Sequence, residues 1–409
     1  MPVFTRSDRT QIGLLVLCML PFAATIFLGV ASNNPWAVVF ATGLAIASAG
    51  FSLAWGTESL QFLISQALAL GVLAFVNVLP EYSVDVVLAY RGATDPSLLQ
   101  YATAAMTGAN RLLLGVGWPS VFILSAYASR GSKSKSNGLV LDGHQGLEVL
   151  FLGLATVYSF VIAIRGSLGP IDAAVLIALF LSFIYLASRL PAQPEEMKEE
   201  LEGPSRAVSS LKGLPKAVAI CFFVGLGALA IAFGSGPFVT SFLTLTAQLN
   251  VGSGGEYLLI QWLTPILTEL PEAVTVFYWA AKTGKGSLAL ASLVSSKLNQ
   301  WTILVATIPL VYCVALGGFS SIALTPLQVE ELYLTAAQSL FGFVCLLDLR
   351  LTRYEISALL LLFATQFFVP SLRLEVSVAY FVLAGVDLLS TRRVDIFRQV
   401  RASFQGHLH

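Results

Sequence analysis

Apolar residues along the chain gather into runs of about 20 or more, separated by short polar, glycine- or proline-bearing stretches, which is the pattern of membrane-crossing helices. These runs predict helices over residues 11–31, 36–55, 59–90, 98–127, 145–164, 169–189, 214–247, 254–282, 287–317, 329–349, 354–371 and 374–390. Polar positions inside the runs are few, so each one needs a reason. Two of them repeat: Leu79-Pro80-Glu81 in the first half and Leu270-Pro271-Glu272 in the second. A carboxylate in hydrocarbon costs roughly 2.5–3.5 kcal/mol on insertion scales and marks a functional site. The adjacent proline removes one backbone donor and clashes with the carbonyl four residues back, breaking the helix and freeing Val76 C=O in one copy and Leu267 C=O in the other. An anionic oxygen beside freed carbonyls suits a hard cation. Two such breaks in corresponding halves point to the binding site of a transporter.

Composition agrees with the pattern. The 409 residues are 56% hydrophobic and only 11% charged, with a mean hydropathy of +0.80. A soluble domain carries about a quarter charged residues, so this reads as an all-α polytopic membrane protein whose first partner is the lipid bilayer. The formal net charge is zero, which argues against nucleic acid. Cys18, Cys221, Cys313 and Cys345 are scattered without metal spacing, which argues against disulfides and zinc. His144, His407 and His409 fall in loop or tail and supply no intramembrane ligand. The first run, beginning after Arg6 and Arg9, exceeds a signal-peptide core of roughly 7–15 residues and reads as a retained helix.

Twelve crossings place both termini on one side. With the termini cytoplasmic, eighteen of the 23 basic residues fall in cytoplasmic segments and only Arg91, Arg165 and Arg373 outside; Arg111 and Lys297 lie within the membrane. This topology sends the Glu81 helix outward and the Glu272 helix inward. Five helices over 35–189 then mirror five over 215–371, an inverted-topology repeat of five plus five, with an extra helix at each end in 1–34 and 372–409. The cytoplasmic linker 190–214 carries Glu195, Glu196, Glu199, Glu200 and Glu202. It reads as a solvated segment with a short surface helix or as a regulatory cation site. The basic tail from Thr391 is expected on the inner membrane surface. Residues 41–50 and 225–236, dense in glycine and alanine, predict close helix packing or a smooth surface for sliding.

Around the first motif, Glu81 and Asp85 are four residues apart; around the second, Glu269 and Glu272 are three apart. Each pair shares a helix face. Four carboxylates are thus expected to converge, with Asn77, Ser83, Thr268 and Thr275 as neutral oxygen donors. An oxygen-only set suits sodium, calcium or magnesium rather than zinc or copper. Each motif helix is followed by one carrying a buried base: Asn110-Arg111 in the first half, and Lys297 with Asn299 in the second. Such a base is either a structural ion pair or a built-in cation that replaces a transported one.

These stretches resemble the α-repeats of the calcium/cation antiporter superfamily, the sodium/calcium and proton-linked cation exchangers. The family repeat begins Gly-Thr-Ser-x-Pro-Glu and continues to Gly-Asn-x-x-Gly-Ser-Asn. Leu79-Pro80-Glu81 and Leu270-Pro271-Glu272 match its core, Thr268 keeps its threonine, and Gly108-Ala109-Asn110 resembles its Gly-Ser-Asn. The resemblance implies ten core helices, alternating access by two sliding small-residue helices, and Glu81 and Glu272 as central ligands with Thr268 in support. The departures are Glu269 and Val78 where the family has a sodium-binding serine, and Lys297 where it has the last asparagine. They delete sodium sites and add fixed charges, so a proton-coupled exchanger stands beside a sodium-coupled one.

The expected function is a secondary antiporter that moves calcium or a similar cation against sodium or protons. It needs no cofactor beyond the transported ion, and nothing in the sequence speaks to oligomeric state. The rival from another class is a non-transporting or channel-like protein whose site is locked by Arg111 and Lys297 ion pairs. An intramembrane enzyme ranks last, since no aspartate pair, His/Glu metal motif or serine dyad stands out.

Overall fold

A computed structural model describes residues 4–60, 79–129, 138–190, 203–250 and 252–389. They are almost wholly helical, in the order α1 (Arg6–Leu28), α2 (Pro35–Leu60), α3 (Leu79–Arg91), α4 (Leu99–Leu112), α5 (Trp118–Ala128), α6 (Gly146–Arg165), α7 (Pro170–Ala187), α8 (Gly203–Ser210), α9 (Leu214–Gln248), α10 (Gly252–Ala280), α11 (Gly286–Asn299), α12 (Val305–Leu316), α13 (Pro326–Cys345), α14 (Arg353–Phe368) and α15 (Arg373–Leu389). Where the predicted runs fall on described residues, the helix ends lie within five positions of those expected; part of the 59–90 run, Asn77 included, lies outside the described residues. Among the described residues seven helical stretches are long and apolar enough to cross a membrane.

The chain divides into two compact units, each drawing on both halves of the sequence: Met1–Leu88 with Pro191–Glu272, and Ala89–Leu190 with Ala273–His409. The passage from the first unit to the second falls inside both motif helices, α3 and α10.

In the first unit the glycine- and alanine-rich stretches meet. A Cβ on Gly227 of α9 would lie 2.6 Å from Leu53 Cγ and 2.9 Å from the Ala49 carbonyl of α2, so nothing larger than hydrogen fits between these helices. The Ser52 hydroxyl donates to Phe223 C=O across the same seam at 2.7 Å. Leu15, Met19 and Phe22 of α1 close one side of this core against Ala45, Ala49 and Ala230. The short helix expected in the linker is α8, packed rather than lying on the surface: its Ala207 and Val208 are buried and its Ser205 carbonyl accepts from Ser59. Pro204, Ala207 and Val208 stand at i, i+3 and i+4 and form one buried face, which accounts for the difference. The acidic cluster Glu195–Glu202 and the basic tail lie outside the described residues.

The second unit is built around a continuous core containing Trp118, Val149, Leu290, Phe341 and Tyr380. Two short antiparallel ribbons, unpredicted because two or three residues carry no periodicity, join its loops. Leu139 of β1 (Gly138–Val140) faces Leu351 of β4 (Arg350–Thr352). Leu168 of β2 (Ser167–Leu168) faces Ile322 of β3 (Ile322–Ala323). The first ribbon joins the loop before α6 to the loop before α14; the second joins the loop after α6 to the loop before α13. That reciprocal exchange is what a two-fold relation between antiparallel copies requires.

The copies also share a backbone irregularity. α4 runs for 14 residues from Leu99 and gives way to a five-residue π segment, Leu113–Gly117, before α5. α11 runs for 14 residues from Gly286 and gives way to Gln300–Leu304 before α12. A π segment widens the helix, disturbs the i→i−4 pairing, and is found mostly at functional sites.

Candidate functional site: duplicated Pro-Glu dipeptides and two buried bases

Pro271 does not end its helix. α10 continues from Gly252 to Ala280 through both Pro265 and Pro271, which corrects the expected break. Neighbouring helix packing tolerates the missing donors in a membrane helix, so proline strips hydrogen bonds without terminating the segment. Gln261 and Leu267, four residues before each proline, lose their ordinary backbone donors. Pro265 adds a second stripped carbonyl that the duplicated motif did not reveal.

The two motifs meet on α2. A Cβ on Gly50 would lie 2.5 Å from Pro271 Cγ and 3.5 Å from Pro80 Cγ, so both Pro-Glu dipeptides rest on the same backbone position. Glu81, Ser83 and Asp85 are buried in the first turns of α3. The Ser83 hydroxyl donates to Pro80 C=O at 2.6 Å, which holds the turn. Asp85 Oδ1 is buried and has no hydrogen-bond partner among the described residues. In α10, Thr268 and Glu269 are buried and Glu272 is half-buried; the Thr268 hydroxyl donates to Thr264 C=O at 3.1 Å. These residues all belong to the first unit, whereas the half-buried Thr275 falls in the second.

The second unit holds the buried bases. Arg111 pairs with Glu331 of α13 and donates to Gln366 Oε1 of α14 at 2.7 Å; Glu331 also accepts from Arg373 of α15. Arg111 and Glu331 are each 1% exposed. One carboxylate between two guanidiniums ties three helices, Gln366 adds the fourth, and removing one member of such a pair costs about 3–5 kcal/mol. Sequence reasoning missed Glu331. The available signal was charge balance, since a buried arginine calls for a carboxylate and the 329–349 run carries Glu330, Glu331 and Asp348.

Lys297 and Asn110 stand three residues before their respective π segments, and they touch. Lys297 Nζ donates to Asn110 Oδ1 at 2.7 Å and to Asn110 C=O at 3.1 Å. The ammonium lies 4.6 Å from the centre of the Trp301 ring. The next carbonyl, Arg111 C=O, accepts from Gln338 Nε2 at 3.3 Å, while its counterpart Leu298 C=O accepts from the Thr302 hydroxyl at 2.7 Å. Carbonyls beside each π segment are thus bonded by side chains. Asn299 is buried one residue before the second π segment.

Duplicated Pro-Glu dipeptides seated on a small-residue helix, and buried bases on π-interrupted helices, are features of a multi-pass membrane protein with a polar interior. The comparisons carry this to a family. The chain is 31% identical to the H+/Ca2+ exchanger CAX, over 99% of this chain and 100% of that one, with a TM-score of 0.88. The family model for sodium/calcium exchanger protein matches residues 34–189. The sodium-calcium exchanger NCX_Mj shares the fold at 16% identity and a TM-score of 0.52, over 84% of this chain and 99% of its own. The Ca2+/H+ antiporter protein YfkE does so at 14% and 0.55, over 92% and 100%. No protein of curated function matches. The chain belongs to the calcium/cation antiporter superfamily, as an integral membrane protein that exchanges inorganic cations.

Proposed function

We propose that this protein exchanges calcium for protons or sodium by alternating access, with Glu81 and Glu272 binding either ion in turn. The observation that supports this reading is the convergence of Pro80 and Pro271 on Gly50, which seats the two duplicated Pro-Glu dipeptides against one backbone position in the first unit. Asp85, Glu269, Ser83 and Thr268 are the further oxygen donors on the same two helices; an oxygen-only set suits calcium. A site that holds one occupant at a time, and that changes sides only when its carboxylates are neutralised by an occupant, couples the two fluxes. The full-length similarity to an H+/Ca2+ exchanger favours protons as the driving ion. The repeats are assigned to 35–189 and 215–371, with both termini cytoplasmic on the lysine and arginine distribution. Arg111, Lys297, Asn110 and Asn299 serve as the charge-compensating set of the second unit.

The test is calcium flux into proteoliposomes under an imposed proton gradient and, separately, an imposed sodium gradient, with Glu272→Gln as control. Flux that depends on one gradient and vanishes in the variant supports the reading and names the driving ion. Folded, inserted protein that moves no calcium under either gradient overturns it in favour of a locked, non-transporting exchanger fold.

A further inference from the structure

Lys297 is a charge where its own duplicate is neutral. α4 and α11 run the same length to their π segments, so Asn110 and Lys297 are equivalent positions, and each lies against the other. Asn110 is set up as an oxygen cradle. Its Nδ2 donates to Met106 C=O at 2.9 Å, which fixes the amide and turns Oδ1 toward the partner helix. Its main-chain carbonyl points the same way, beside a backbone whose regular pairing is disturbed. Two oxygens of one residue, 2.7 and 3.1 Å from the nitrogen, receive the ammonium, and an indole face stands 4.6 Å from it. Carbonyl and amide oxygens with an aromatic face are also the surroundings that hold a small monovalent cation such as potassium or free ammonium. The lysine is wholly buried, so it fills this place and does not merely border it.

We propose that the Lys297 ammonium is a tethered occupant of a monovalent-cation position formed by Asn110 and Trp301, standing in for a cation that the protein would otherwise take from solution. The proposal rests on the antiport reading and deepens it: the number of mobile cations per cycle is one fewer than the duplicated architecture has room for. Replacing Lys297 by asparagine restores identical residues at the two positions and leaves the two Asn110 oxygens without the ammonium they receive.

The experiment is thermal unfolding of the full chain in detergent, as wild type, Lys297→Asn and Lys297→Ala, titrated with potassium, sodium or ammonium chloride. Choline chloride serves as the ionic-strength control. Both variants are expected to melt several degrees below wild type. At least one small cation should restore the loss saturably, while choline does nothing and wild type does not respond. Equal responses to all four salts, or a cation-specific shift of the same size in wild type, overturn the proposal. If neither variant folds, Lys297→Arg decides: it keeps the tethered charge, so a folded arginine variant insensitive to small cations supports the proposal and a cation-stabilised one overturns it. Calcium flux in proteoliposomes separates this from the antiport reading. Lys297→Ala is expected to lose at least tenfold and to recover with the cation that stabilises it; lack of recovery by that cation counts against the proposal. Absence of flux in wild type sinks the antiport reading alone, because the binding arm does not depend on transport.

Discussion

The stretches Leu99–Ala128 and Gly286–Leu316 are two versions of one helix. Each has 14 α residues, five π residues and a second α segment. Their residues differ almost throughout: Leu-Leu-Gly-Val-Gly makes one π segment and Gln-Trp-Thr-Ile-Leu the other. No single residue type therefore encodes the widening; the packing of each whole helix imposes it. The charges diverge on that common backbone. The first copy carries Arg111 beside Asn110, bound into Glu331 and Gln366, while the second carries Lys297 beside Leu298, bound to Asn110. Geometry is shared and electrostatics is private to each copy.

The sharpest challenge to that division comes from the carboxylates, which both copies keep. Glu81→Gln and Glu272→Gln are each expected to reduce calcium flux in proteoliposomes to background. Substantial flux in one variant would show that the copies are unequal at the ion itself. The next effect is on the private charges. Arg111→Met leaves Glu331 facing Arg373 alone and is expected to cost about 3–5 kcal/mol of stability in thermal or denaturant unfolding, with Glu331→Gln in the same chain recovering most of it. A fully additive double variant would refute the coupling. Gly50→Ala tests the shared seat: a methyl against both prolines is expected to cost about 1–3 kcal/mol by the same unfolding assay, and a variant as stable as wild type would mean that the seat yields freely. The smallest effects are the side-chain bonds to Arg111 C=O and Leu298 C=O. Gln338→Leu and Thr302→Val are each expected to cost about 1 kcal/mol. Clearly unequal losses would show that one π segment relies on its bond more than the other.

Much of this was legible in the sequence because bilayer crossing is written in long apolar runs. The described helix ends follow them closely, and the Pro-Glu duplication stood out since carboxylates are so rare within such runs. What escaped notice has physical causes. A proline in a packed membrane helix does not have to end it, so α10 runs on through Pro271. The π segments leave no compositional trace. Glu331 is 220 positions from Arg111 in sequence and becomes its partner only through the fold. The short helix expected in the linker is present as α8, but its burial was hidden by the acidic stretch before it, whose composition suggested a solvated surface.

The contact between Lys297 and Asn110 bears on the history of the gene. A residue that touches its own counterpart lies beside the axis relating the copies. In an ancestor built from two identical chains, any substitution there appears twice and meets itself. Two asparagines are compatible, because an amide both donates and accepts. Two lysines place like charges in contact, which is repulsive at this depth. A lysine at this position therefore presupposes two separately inherited copies, so the repeat was duplicated before one copy acquired the charge.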